Sequence, residues 1–146
     1  MHVSSEEPLV VRHFVYRLYS IMLGLMLLGI VAEGVLIGPS LFAATHWGRV
    51  LHGDLGAALL FLLLLLPVIG RIARLPGKII LLSSVLFVLA LIEAIAGALG
   101  RRSPVLAAVH PATALLLAGL TVLLFLQGWH TLRGRGTINI KKESAE

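Results

Sequence analysis

The stretch LGAALLFLLLLLPVI, residues 55–69, carries no charged side chain. A membrane-spanning helix needs about 20 mostly apolar residues, and this stretch belongs to such a segment at 47–69. Three others qualify, at 14–37, 79–99 and 104–127. Backbone amides left unpaired in lipid are too costly, so each segment is expected to be a helix rather than an open strand. The expected fold class is therefore all-α: an integral membrane four-helix bundle.

Composition agrees. The chain has 146 residues, 58% hydrophobic and only 13% charged, with a mean hydropathy of +0.99. Soluble domains carry about 25% charged residues. The length allows one domain, read as a transmembrane domain over 1–130 and a short solvated tail over 131–146. In the tail, Thr137-Ile138-Asn139-Ile140 alternates like a strand but is too short to fold alone. With no cysteine, disulfides, thiolate metal sites and covalent haem attachment through cysteine are excluded.

The connections are short. The first begins at Gly38-Pro39-Ser40, the second runs over 71–78, and the third is Gly100-Arg101-Arg102-Ser103. Ser103-Pro104 reads as an N-cap followed by proline at the first helical position. Short loops make successive helices antiparallel neighbours in an up-down-up-down bundle. The first span is too long for the apolar core of a signal peptide and is kept as a helix.

Net charge is +5 and the isoelectric point is near 10.5. Nine basic residues fall at one side of the spans: Arg12, Arg17, Arg71, Arg74, Lys78, Arg133, Arg135, Lys141 and Lys142. Only Arg49, Arg101 and Arg102 fall at the other. That asymmetry places both termini in the cytoplasm of a cell whose inner membrane holds the chain. It also accounts for the basicity without a nucleic-acid partner. Tyr16, Tyr19 and Trp129 are expected as aromatic anchors at the inner interface and Trp47 at the outer one.

Ionisable groups inside a span are costly and are functional candidates by default. They are Glu33, His52, Asp54, Glu93 and His110. At about 1.5 Å of rise per residue, His52 lies roughly 7 Å and His110 roughly 9 Å inside the outer ends of their helices. Glu33 and Glu93 come out at roughly 6 and 10 Å. Each span thus carries a group in one outer layer. His52 and His110 are on the second and fourth helices, diagonal in a simple bundle, so their imidazoles are expected to face across the axis.

Two imidazoles on one iron give a six-coordinate centre suited to electron transfer. Small residues lie beside them: Ala107, Ala114 and Ala118 on the stripe of His110, and Gly56 one turn inward from His52. Pro111 leaves the Ala107 carbonyl without its helical partner, and a kink there would widen the outer end. The plainer reading is a polar structural network, with small-residue patterns such as Gly34-x-x-x-Gly38 and Ala90-x-x-x-Ala94-x-x-x-Ala98 serving helix packing.

Asp54 points about 200° around the helix from His52. It is expected to pair with Arg49, Arg101 or Arg102 near the outer surface, or with another helix. Glu33 and Glu93 are expected in structural pairing, with a histidine N–H or those arginines as partners, or a proton relay as the alternative. Direct metal binding ranks below haem, because the Glu-x-x-His spacing of di-iron bundles does not occur. A second haem would need a second pair. His13 and His130 lie at the inner edge and read as interfacial, His46 reads as loop, and His2 is terminal.

At Leu51-His52-Gly53-x-Leu55-Gly56 and Val109-His110-Pro111, over residues 14–130, the chain resembles small bacterial four-helix transmembrane b-type cytochromes and one half of a haem A synthase. The resemblance implies haem b ligated by His52 and His110. It does not imply haem synthesis, which would need two such bundles and a substrate site. No inner histidine pair of the two-haem cytochromes is present.

Three functions stand open. One is a one-haem cytochrome passing electrons between a quinone, or another donor, and an outer partner. Another is an accessory subunit of a larger respiratory or photosynthetic membrane complex, without chemistry of its own. The last is a metal- or proton-binding membrane protein using Glu33 and Glu93. No phosphate-binding glycine loop or hydrolytic nucleophile motif occurs, and no catalytic residue is assigned.

Overall fold

The computed structural model describes the backbone over residues 9–43 and 45–143, and side chains over 14–43 and 45–129. Four α-helices follow in order: α1 Leu9–Phe42, α2 His46–Ile72, α3 Gly77–Leu99 and α4 Pro104–Glu143, with a single 3-10 turn, Gly100–Arg102, before α4. All four are long and apolar enough to cross a membrane. The helices pack in a ring, α1 on α2 and α4, and α3 on α2 and α4, while the backbones facing each other across the two diagonals stay apart. α1 and α2 run antiparallel: on α2, Gly70 lies by Tyr19 and Gly48 by Ser40 of α1.

Each helix buries one narrow seam. In α1 it holds Tyr16, Tyr19, Leu23 and Met26; in α2, Leu59, Leu63 and Leu66; in α3, Ser83, Leu86 and Ala90; in α4, Leu117, Thr121 and Leu124. These spacings of three and four residues are those of one helical face. The outward faces are apolar as well, with Phe14, Leu28, Val31, Phe61 and Leu115 all exposed. Helices apolar all round belong in lipid when no protein covers them. Two buried hydroxyls bond within their own helix: Thr121 Oγ1 donates to the Leu117 carbonyl at 2.7 Å and Ser83 Oγ to that of Ile79 at 2.7 Å.

The first corner lies later than the sequence suggests. Pro39 is inside α1, because proline's fixed φ is helical and its fault is only a missing donor. The chain turns at 43–45, where the Ala43 and Thr45 amides both donate to the Pro39 carbonyl and Ser40 Oγ donates to the Thr45 carbonyl at 2.6 Å. His46 accordingly opens α2 rather than lying in a loop. α2 ends in a Schellman motif. Arg74 has a left-handed φ of 51°, its amide donates to the Arg71 carbonyl, and that of Leu75 to the Gly70 carbonyl. Buried Leu75 and then Pro76 complete the stop.

Ser103 caps α4 as expected, accepting from the Leu106 amide at 3.5 Å. α4 runs unbroken through Pro111. It also continues through 131–143, so the strand-like alternation at 137–140 is helical. Tyr16 and Tyr19 depart from the expected interfacial role: both are 3% exposed and turn into the core. Trp47 and Trp129 are exposed as anchors should be.

Candidate functional site: paired histidines backed by carboxylates

The inward seams continue toward the end of the bundle away from the chain termini, and there they become polar. Glu33 follows Met26 by seven residues on α1. His52 precedes Leu59 by seven on α2. Glu93 follows Ala90 by three on α3, and His110 precedes Leu117 by seven on α4. The periodicity that aims leucines at the axis therefore aims these four side chains there too.

His52 and His110 meet across the α2–α4 diagonal, with ring centroids 6.0 Å apart and planes at 89°. Each has its own carboxylate on a neighbouring helix. His52 Nδ1 contacts Glu33 Oε2. His110 Nδ1 lies 3.0 Å from Glu93 Oε1 and 3.1 Å from the Glu93 main-chain carbonyl. The histidine side chains are 25% and 29% exposed, and those of Glu33 and Glu93 are 14% and 23% exposed. Glu–His–His–Glu thus forms one polar layer linking all four helices.

The partners fix the chemistry of each ring. A carbonyl is an acceptor, so Nδ1 of His110 must carry the proton that it donates to the Glu93 main chain. In the neutral ring this leaves the lone pair on Nε2. Glu33 imposes the same on His52 if ionised. A ligating histidine is commonly held this way, with its second nitrogen on a carboxylate or carbonyl.

Glycines make the room. A Cβ on Gly97 would stand 2.9 Å from both Cε1 and Nδ1 of His110, and one on Gly56 would stand 3.4 Å from Glu33 Oε1. Gly97 is one turn after Glu93, so its bare backbone exposes the Glu93 carbonyl that His110 reaches. Sequence reasoning weighed Gly56 and missed Gly97. The available signal was a glycine four residues from a buried ionisable group, which recurs as Gly29/Glu33, His52/Gly56 and Glu93/Gly97. Of the alanines expected beside His110, Ala114 and Ala118 are half-buried, whereas Ala107 packs against Gly100 instead.

Asp54 stands apart. It is exposed, as are Arg49, Arg101 and Arg102, and it forms no ion pair with them among the described residues. Glu33 and Glu93 lie against His52 and His110 and pair with none of those arginines among the described residues. Side chains of His2, His13 and His130 lie outside the described residues. Among the described residues, no three His, Asp or Glu side chains converge as a metal-binding group.

Comparison of the chain with protein-family models, curated proteins and solved structures finds no match.

Proposed function

We propose that this chain is a b-type cytochrome-like membrane protein that binds one haem between His52 and His110 for electron transfer. The bundle would sit up-down-up-down in the inner membrane with both termini cytoplasmic, as the basic residues at the terminal end of the spans favour. The observation that carries the reading is the pair of inward-turned imidazoles, each backed at Nδ1 by its own carboxylate. Two imidazoles turned toward each other from diagonal helices are a donor set of the kind that holds haem iron.

The residues divide the work simply. His52 and His110 would hold the haem iron, each through Nε2. Glu33 and Glu93 hold the ring orientations and raise ligand basicity. Leu55, Leu59 and Leu117 separate the site from the other end of the bundle. Haem bound there would supply a one-electron carrier.

The test is an absorption spectrum of the protein purified from haem-replete membranes. A Soret band is expected in the wild type and in a His46→Ala control. The band should disappear in His52→Ala/His110→Ala, while the helical circular dichroism persists. A folded wild-type protein without a Soret band, or a double variant that keeps it, overturns the reading.

A second reading, a structural subunit of a larger membrane complex, rests on a different observation. A Cβ added at Gly34 or Gly38 would have nothing within 4 Å, so the expected packing pair is not used inside this bundle. Such a small-residue face is one on which another membrane helix can seat closely. Co-purifying subunits that dissociate on Gly34→Leu would favour it.

A further inference from the structure

At the end of the bundle opposite the histidines, a groove of about 240 Å³ lies between α1 and α4. It is lined by Arg17, Ser20, Ile21, Gly24, Phe125 and Trp129. Three features set it apart from the rest of the lipid-facing surface. Its floor is apolar, with Phe125 and Trp129 stacked at 6.2 Å and 20°. Arg17 stands at its mouth, exposed, and forms no ion pair among the described residues. Ser20 is 6% exposed, yet its Oγ has no hydrogen-bond partner among the described residues.

Thr45 Oγ1 is likewise buried without a partner. The Ser20 Oγ faces Gly128, where an added Cβ would come within 3.0 Å of it, so α1 and α4 approach closely behind the groove and its wall is apolar.

The geometry points to a bound anionic phospholipid in this groove, with its phosphate on Arg17 and an acyl chain along Gly24 and Phe125. The order along α1 matches the order of groups in the lipid: Arg17 and then Gly24 descend from the interface at about 1.5 Å per residue, as charge and then hydrocarbon. Gly24 keeps the apolar part open: a Cβ there would meet only Phe125 Cε2, at 3.6 Å. The site is independent of any haem, since it lies at the other end of the bundle.

The test uses the two tryptophans of the chain. Trp47→Phe leaves Trp129, in the groove, as the only reporter. The full chain is reconstituted in phosphatidylcholine vesicles containing brominated phosphatidylglycerol or, in parallel, brominated phosphatidylcholine, and quenching is measured. One basic residue near the surface corresponds to about fivefold preference for the anionic lipid, and that is the ratio expected. Arg17→Gln should bring the ratio to one. Gly24→Leu should reduce quenching by both lipids by filling the groove.

Equal quenching by the two lipids in the wild type, or a preference that survives Arg17→Gln, overturns the proposal. So does protection of Trp129 from both lipids, which would mean that protein covers the groove, or saturable quenching by a short-chain quinone with no preference for anionic lipid. The Arg17→Gln arm alters only an exposed side chain, so it remains decisive even if Gly24→Leu fails to fold.

Discussion

His52 and His110 touch edge to face, 6.0 Å between ring centres, although their helices are not neighbours. The other diagonal is bridged the same way at the opposite end. There Tyr19 of α1 donates its hydroxyl to Ser83 of α3, and Ser83 Oγ in turn donates to the Ile79 carbonyl. Between these two polar crossings the axis is filled by Leu23, Met26, Leu63, Leu86 and Leu124. Side chains rather than backbones tie the diagonals, which fixes the rotation of all four helices at once.

The Tyr19 crossing makes an asymmetric prediction. Tyr19→Phe leaves Ser83 bonded to Ile79, so its cost should be small, about 0.5–1.5 kcal/mol. Ser83→Ala leaves a fully buried phenol hydroxyl without an acceptor and should cost more, about 1–3 kcal/mol. Thermal unfolding in one detergent, followed by circular dichroism, ranks the two. The reverse order would show that the bridge does not hold the diagonal.

The carboxylates should differ in the same manner. In Glu93→Leu the main-chain carbonyl at position 93 still accepts from His110, whereas Glu33→Leu leaves His52 Nδ1 with no acceptor. The Glu33 change is therefore expected to destabilise more, by about 1 kcal/mol or somewhat above, as for other hydrogen bonds in membrane bundles. Nitrogen-15 shifts should show both wild-type rings protonated at Nδ1, and that pattern abolished for His52 alone in Glu33→Leu.

Gly97→Ala tests how closely α3 must approach His110. The new methyl would lie 2.9 Å from two ring atoms, so the ring must turn or α4 must shift. A cost of about 1–3 kcal/mol is expected, and the nitrogen spectrum should show the His110–Glu93 hydrogen bond broken. An unchanged His110 signal would show that the ring sits elsewhere.

Two further glycines separate close approach from helix propensity. Gly48→Ala would place a methyl 2.4 Å from the Leu36 carbonyl oxygen, and backbone yields poorly, so this change should open the α1–α2 corner and lower the melting temperature clearly. Gly34→Ala meets nothing and should be neutral or stabilising by about 0.5–1 kcal/mol, the helix preference of alanine over glycine. The pair is read in a single melting experiment.

Hydropathy alone gave the four spans, because an uncharged run such as 55–69 has no other stable state in lipid, though α1 and α4 run well beyond the segments it marks. Chain order and short loops placed α2 and α4 on a diagonal, and counting residues from the span ends put Glu33, His52, Glu93 and His110 in one layer. What could not be read was the rotation of each helix about its own axis. In water the polar face reports that rotation; here both faces are apolar, so leucines on the seam and leucines against lipid look alike. Packing therefore decided that Tyr16 and Tyr19 turn inward, that Gly34 and Gly38 turn out, and that Gly97 admits His110. It also decided that each histidine takes the carboxylate of an adjacent helix instead of leaving it to an arginine at the rim. Because rise per residue is constant, position in the chain determined the depth of every polar group; tertiary packing alone determined its direction and its partner.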